Sequence, residues 1–283
     1  MDQGGPLFVM KPTPLIIGHR GASAHAPENT LAAFQMAIDA GADGVEFDVQ
    51  LARDGVPVVI HDPVLRRTSG IDAKVADLTS AELAQVDVGS WFNKVHPRLA
   101  DESFVEQRVS TLREVLRVIG WSEGPIYIEL KCETPDVEAL CAAVSVEIRD
   151  SNLLPQIIVK SFRLGAIPMI RLLCPEAQTA VLFAPSIKNL VTRKKHIVTI
   201  AREMGADHLS LHYSLATSKL TALAAEAGMP VTIWTTDDPK WIKRCRKLGI
   251  HALITNDPAK LIKARISKRK IDTAEHVFPV VVL

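Results

Sequence analysis

Three stretches of this 283-residue chain place ionisable residues at the ends of apolar runs. They are Gly18-His19-Arg20-Gly21, then Glu46-Phe47-Asp48 with the following Ile60-His61-Asp62, and Glu129-Leu130-Lys131. Taking so many charges out of water costs several kcal/mol per ion unless a metal or an anionic ligand compensates them. The pattern therefore indicates the active site of an enzyme.

Glu46, Asp48 and Glu129 form a candidate set of ligands for one divalent cation. Three carboxylates suit a hard ion such as Mg²⁺ or Ca²⁺, whereas zinc is disfavoured because no cysteine accompanies them. The ion would reduce their charge of −3 to −1, and Arg20 with Lys131 would bring the site to +1. Because a phosphodiester carries one negative charge, we expect a phosphodiester substrate with its phosphate on Arg20 and Lys131.

His19 and His61 are candidates for acid–base catalysis on either side of a phosphate. One imidazole can take the proton of the attacking oxygen, and the other can give a proton to the leaving alkoxide. Each residue also has a structural alternative: a strand-end histidine often only makes hydrogen bonds, and Lys131 could simply neutralise Glu129. Trp234 could belong to the core or line the substrate pocket.

The elements that carry these residues are short apolar runs, most of them separated by helical patterns. The eight runs are Leu15–Ile17, Gly44–Val49, Ile126–Leu130, Ile157–Ser161, Thr179–Phe183, His208–Leu211, Val231–Trp234 and Ala252–Thr255. Strands that alternate with helices indicate a parallel sheet, and eight of them predict an α/β fold of the closed (β/α)₈ TIM-barrel type. The alternative is an open doubly wound sheet, but no G-x-G-x-x-G follows the first strand.

One interval is too long for a single strand–helix unit. Val45 and Ile128 are 83 residues apart, whereas the centres of all other neighbouring runs are 21 to 31 residues apart. Asp54-Gly55 predicts a two-residue hairpin turn, which would set Asp48 opposite His61; a three-residue loop would shift this register by one. We therefore expect one catalytic domain at 12–270 that contains an insertion subdomain at 62–109, followed by a C-terminal tail at 271–283.

The composition bears on which molecules the protein can bind and on its location in the cell. The net charge of +1 gives no general attraction to nucleic acid, and no apolar run approaches the ~20 residues of a membrane helix. The first residues lack the basic and apolar regions of a signal peptide. We expect a cytoplasmic protein without stable membrane insertion, and the oligomeric state stays open.

These residues together resemble the glycerophosphodiester phosphodiesterase family over roughly residues 15 to 265. The resemblance rests on the following motifs: His19-Arg20-Gly21 with Pro27-Glu28-Asn29-Thr30, Val45 to Val49, Arg53 to Asp62, Arg67-Thr68, Gly89-Ser90-Trp91-Phe92, Glu129-Leu130-Lys131, Ser161-Phe162, Trp234-Thr235 and Thr255-Asn256-Asp257-Pro258. It implies a TIM barrel and a metal-dependent hydrolysis of glycerophosphodiesters, such as glycerophosphocholine, to sn-glycerol 3-phosphate and an alcohol.

Roles follow from the resemblance, residue by residue. It implies that Glu46, Asp48 and Glu129 bind Mg²⁺ or Ca²⁺, that His19 and His61 are the acid–base pair, and that Arg20 and Lys131 contact the phosphate. Trp234 is a further candidate for substrate contact. Which histidine is base and which is acid stays open, and our working assignment is His19 as base and His61 as acid. The chain departs from the family at Asp237, where an asparagine is common, and at Arg66, where an acidic residue is usual.

Two other functions remain possible on the same barrel. One is phospholipase D-like cleavage of lysophospholipids or sphingomyelin, for which the basic segment Lys260 to Lys270 and the apolar end Val277–Leu283 are the only hints. The other is a non-enzymatic metal-bearing scaffold, which would tolerate the loss of a histidine. Here both histidines accompany all three candidate ligands.

Overall fold

A computed structural model describes residues 13–120, 123–132, 136–185 and 194–274. The strands are β1 (Leu15–His19), β2 (Gly44–Leu51), β3 (Pro57–Val59), β4 (Ile126–Leu130), β5 (Ile157–Ser161), β6 (Gln178–Phe183), β7 (His208–His212), β8 (Val231–Trp234) and β9 (Ala252–Thr255). The α-helices are α1 (Leu31–Asp39), α2 (Arg66–Ser69), α3 (Ser80–Leu83), α4 (Ser90–Val95), α5 (Leu112–Ile119), α6 (Val137–Asp150), α7 (Ala166–Leu173), α8 (Lys194–Glu203), α9 (Ser218–Glu226), α10 (Lys240–Leu248) and α11 (Pro258–Ala274). Short 3₁₀ turns lie at Val75–Asp77, Glu102–Glu106, Leu154–Gln156 and Tyr213–Leu215.

Eight of these strands form a closed parallel barrel, as predicted. Each strand pairs with its neighbours in the order β1, β2, β4, β5, β6, β7, β8, β9, and β9 pairs back onto β1. Because β1 is bonded on both sides, the sheet has no open edge at this point, and the doubly wound alternative is wrong. Helices lie between the strands along the chain, so the carboxyl ends of all eight strands face one mouth.

Two layers of apolar packing hold the barrel. Outside it, helices cover the sheet; Phe34 of α1 meets Phe47 of β2 with ring centroids 5.4 Å apart. Inside it, Ile17, Tyr127 and Ile254 belong to a fully buried cluster, typical of the packed interior of such barrels. The sheet is therefore buried on both faces, which explains why its strands read as nearly continuous apolar runs.

The hairpin register differs from the prediction. Ile60 N donates to Asp48 O at 3.0 Å, so Ile60, not His61, lies opposite Asp48. The reason is a three-residue loop, 53–55, in which Gly55 adopts a left-handed φ of 78°. His61 consequently reaches the mouth on the chain that leaves β3, and not as a cross-strand partner of Asp48.

The segment between β3 and α5 carries α2, α3 and α4. It packs on an apolar cluster that includes Leu65, Leu83 and Val86 together with Val58 of β3. A capping box formed by Thr79 and Glu82 begins α3. That 62–109 is a distinct subdomain stays a prediction, as does the tail at 271–283; the apolar end Val277–Leu283 lies outside the described residues.

Candidate active site

The three predicted metal ligands meet at the barrel mouth. Glu46 and Asp48 lie on β2. Glu129 lies on the neighbouring strand β4 and is paired with Asp48 across the two strands. One carboxylate oxygen from each falls within 4.8 Å of the others, and the residues are 0%, 1% and 6% exposed. An all-oxygen set of buried carboxylates this close together fits a hard divalent cation.

Two lysines bridge the acids from opposite sides. Lys131 Nζ lies 2.5 Å from Glu129 Oε1 and 3.1 Å from Asp48 Oδ1. Lys160 Nζ lies 2.8 Å from Glu46 Oε1 and 3.6 Å from Glu129 Oε2. Lys160 was not predicted, because it sits inside the apolar run of β5. The signal was available: it is a charged residue in an otherwise apolar strand next to Glu129.

Arg20 holds the third side of the acid cluster. It follows β1 in a left-handed conformation, with φ of 55°, and its Nε lies 3.0 Å from Asp48 Oδ2. Burial raises the pKa of Asp48, but Arg20, Lys131 and His61 together hold this pKa well below its usual value. Burial likewise opposes ionisation of Glu46, yet Lys160, and after it His19, lower the pKa of Glu46. Both carboxyl groups are thus ionised at neutral pH.

His19 is oriented by the residues after β9. Its Nδ1 lies 2.6 Å from Asn256 Oδ1, and its Nε2 lies 3.8 Å from Glu46 Oε2. Asn256 Nδ2 donates to Asp237 Oδ2 at 3.0 Å, so the Asn256 oxygen must face His19. His19 therefore donates from Nδ1 in its neutral form and keeps a free lone pair on Nε2, towards the acids.

His61 is oriented by a carboxylate instead. Its Nδ1 lies 2.6 Å from Asp62 Oδ1, and Arg67 Nε donates to Asp62 Oδ2 at 2.5 Å. Because an ionised carboxylate only accepts hydrogen bonds, His61 donates from Nδ1 to Asp62. His61 lines the same cleft as Asn29, whose Nδ2 donates to Asp48 Oδ2, so the imidazole lies beside the acid cluster.

Trp234, at the end of β8, has aromatic neighbours at the same mouth. Its ring centroid lies 5.5 Å from that of Phe162 and 5.4 Å from that of His212, each nearly edge-on. Phe162 is 46% exposed, so this aromatic cluster reaches the surface. Trp234 also packs against the apolar interior of the barrel, as expected of a core residue, and a place in the substrate pocket stays a prediction.

The structure brings the predicted acids, histidines and cations to one end of the barrel. Sequence reasoning gave no role to several residues that support them, among them Lys160, Glu28, Asn29 and Asp237. Asn29 Nδ2 donates to Asp48 Oδ2 at 2.9 Å, and Arg20 Nη1 donates to Glu28 Oε1 at 2.8 Å. Glu28 and Asn29 lie in a motif that was recognised, but residue types alone did not show that Glu28 holds Arg20 and that Asn29 holds Asp48.

Known proteins are similar to this chain in sequence and in fold. A model of the glycerophosphoryl diester phosphodiesterase family matches residues 19–260. A glycerophosphodiester phosphodiesterase of Caldanaerobacter subterraneus subsp. tengcongensis is 32% identical over 248 residues, which cover 88% of this chain and 96% of that one. One from Bacillus subtilis is 30% identical over 253 residues, with 86% and 84% covered.

Solved structures of similar proteins have the same fold. A phosphodiesterase of Oleispira antarctica, in complex with the product sn-glycerol-3-phosphate, superposes with a TM-score of 0.77 at 28% identity, over 90% of this chain and 97% of that one. A glycerophosphodiester phosphodiesterase of Thermotoga maritima superposes with a TM-score of 0.68 at 26% identity, over 89% and 98%.

The barrel, its acid-lined mouth and these matches define a phosphoric diester hydrolase. The chain belongs to the glycerophosphoryl diester phosphodiesterase family. Within the described residues, none of the helices has the length and apolar character needed to cross a membrane. A cytoplasmic location stays a prediction.

Proposed function

We propose that this enzyme hydrolyses small glycerophosphodiesters, such as glycerophosphocholine and glycerophosphoethanolamine, to sn-glycerol 3-phosphate and an alcohol. The observation that carries the proposal is the convergence of three buried carboxylates within 4.8 Å of one another beside oriented imidazoles. The sn-glycerol-3-phosphate bound by the Oleispira antarctica relative supports the same product here.

Glu46, Asp48 and Glu129 would hold one divalent cation, Mg²⁺ or Ca²⁺. A bound cation would neutralise phosphate oxygens and make the phosphorus easier to attack. Arg20 and Lys131 then have the charge to bind the remaining phosphate oxygen. Lys131 is suited to this because its side chain is 13% exposed and reaches the mouth.

The two histidines would divide the proton transfers. His19 has its free lone pair on Nε2, so it is the base that takes the proton of the attacking hydroxyl or water. His61 donates to Asp62 from Nδ1, and this carboxylate stabilises the imidazolium, which can give its Nε2 proton to the leaving alkoxide. Trp234 would form a wall against the glycerol or the head group.

The test is a product assay. Metal-stripped protein is incubated with glycerophosphocholine and glycerophosphoethanolamine, and Mg²⁺ or Ca²⁺ is returned in turn. We expect metal-dependent release of sn-glycerol 3-phosphate with free choline or ethanolamine. Release of phosphocholine would contradict the proposed bond cleavage, and faster choline release from lysophosphatidylcholine than from glycerophosphocholine would favour the phospholipase D-like alternative.

A further inference from the structure

Lys160 is a cation enclosed beneath the acid cluster. Its side chain is 2% exposed, and its Nζ contacts Glu46 Oε1 at 2.8 Å and Glu129 Oε2 at 3.6 Å. Lys131 contacts the same cluster from the mouth and is 13% exposed. A divalent cation that binds the acids can displace Lys131 towards solvent. Lys160 has no such exit, so its ammonium stays beside the acids when the cation is bound.

The retained ammonium changes the charge of the loaded site. The three carboxylates contribute −3, and Arg20, Lys131 and Lys160 contribute +3, as their ion pairs show. Glu28 also contacts Arg20, but its charge is compensated by Arg67. Before metal binding the cluster is neutral, and a divalent cation brings it to +2. Without Lys160 the loaded site would carry only +1, which matches a phosphodiester in its ground state.

We propose that Lys160 sets the charge of this site, weakening divalent-cation binding and making the loaded site selective for doubly charged phosphates. This inference rests on the proposed function, because it takes Glu46, Asp48 and Glu129 as the metal ligands. Attack on a phosphodiester by an oxyanion places two negative charges on the phosphoryl group. A loaded site of +2 is therefore complementary to the transition state and to the phosphate monoester product, more than to the substrate.

The test is a pair of titrations on Lys160→Met, which has a similar length and no charge. Isothermal titration of metal-stripped protein with Ca²⁺ should give a Kd at least about tenfold lower than in the wild type, since a nearby like charge is removed. With Mg²⁺ bound at pH 8, where methyl phosphate is a dianion, the Kd of methyl phosphate should rise at least about tenfold in Lys160→Met. The Kd of the monoanion dimethyl phosphate should rise less.

Opposite shifts in the two affinities distinguish this role from a merely structural one. Loss of packing or of acid geometry would weaken the binding of both metal and phosphate, and that outcome, or no change in either Kd, would overturn the inference. Lys219→Met removes the same charge from an exposed position on α9 and should change neither Kd.

Two further measurements keep the inference testable if Lys160→Met does not fold. Lys160→Gln retains a donor for Glu46 and should show the same opposite shifts. In the wild type with Mg²⁺, methyl phosphate should bind at least about tenfold more tightly than dimethyl phosphate, and equal affinities would reject the inference. Failure of the wild type to bind Ca²⁺ would instead contradict the metal site of the proposed function.

Discussion

Arg67 and Glu28 form a two-pronged ion pair at the edge of the active site. Arg67 Nη1 lies 2.8 Å from Glu28 Oε2, and Nη2 lies 2.6 Å from Oε1. Arg67 also contacts Asp62, the partner of His61, and Glu28 also accepts from Arg20. One guanidinium on α2 thus connects the segment after β3 with His61, through Asp62, and with the acid cluster, through Glu28 and Arg20.

Arg67→Lys should lower kcat/KM by about tenfold or more. A lysine is a point charge and cannot make the two-pronged contact with Glu28 while also holding Asp62. The matched control is Arg66→Lys, because Arg66 precedes it on the same helix and pairs with Asp72 through side chains that are each 69% exposed. Equal kinetics in the two variants would remove Arg67 from the support of the site.

Asp237→Asn should reduce kcat by about tenfold and leave Ca²⁺ affinity unchanged. An amide at position 237 no longer forces the Asn256 side chain to present its oxygen to His19, so the imidazole loses its fixed tautomer. Nitrogen-15 NMR of His19 should show a mixture of tautomers in the variant. Asp238→Asn, at the exposed neighbour, is the control; a wild-type tautomer in Asp237→Asn would count against this role.

His61→Ala should reduce turnover by ~10²–10⁴-fold, the range that general acid–base catalysis supplies. Calcium binding, measured by titration, should persist because His61 is not a proposed ligand. His196→Ala, at an exposed position of α8, should behave as the wild type. If His61→Ala kept the full rate, His61 would have no part in the proton transfers.

Asp48→Asn should weaken the binding of the divalent cation, so that activity is recovered in part when the concentration of Mg²⁺ or Ca²⁺ is raised. The amide keeps one oxygen but removes a charge from the site. Activity as a function of metal concentration measures the shift. His61→Ala serves as the contrast, since added metal should not restore it. An Asp48→Asn enzyme that no metal concentration improves would speak against ligation by Asp48.

The burial of His208 leads us to expect a loss of stability at acid pH. It is 7% exposed, its Nε2 lies 2.8 Å from Gln178 Oε1, and burial, with a smaller contribution from His251, lowers its pKa from 6.5 to about 4. The unfolded chain binds this proton more readily, so the free energy of unfolding falls as the pH drops from 6.5 towards 4, by up to about 3 kcal/mol. Urea unfolding across this range should show a smaller fall in His208→Gln; identical falls would exclude His208 as the cause.

Much of the fold followed from the sequence because buried parallel strands leave a strong pattern. All eight predicted barrel strands are present, for example Ile126–Leu130 and Ile157–Ser161. The hairpin register failed because the choice between a two-residue and a three-residue loop depends on the backbone of Gly55, and Asp54-Gly55 is compatible with both.

The acids and histidines of the site were predictable because their charge is anomalous at the ends of apolar runs. Lys160 shares that anomaly but was overlooked, since it lies one residue before the end of β5 and belonged to no recognised pair. The role of Asp237 depends on the distance to Asn256, and 19 residues of chain separate the two. No local pattern reports such a contact.

The lysines on either side of the acids also affect how the protein would bind and exchange the proposed divalent cation. Glu46, Asp48 and Glu129 each contact an internal ammonium. Stripping the ion with a chelator therefore leaves no isolated buried anion to drive unfolding. The enzyme should fold first and load afterwards, and it should exchange one divalent ion for another as the supply around it changes.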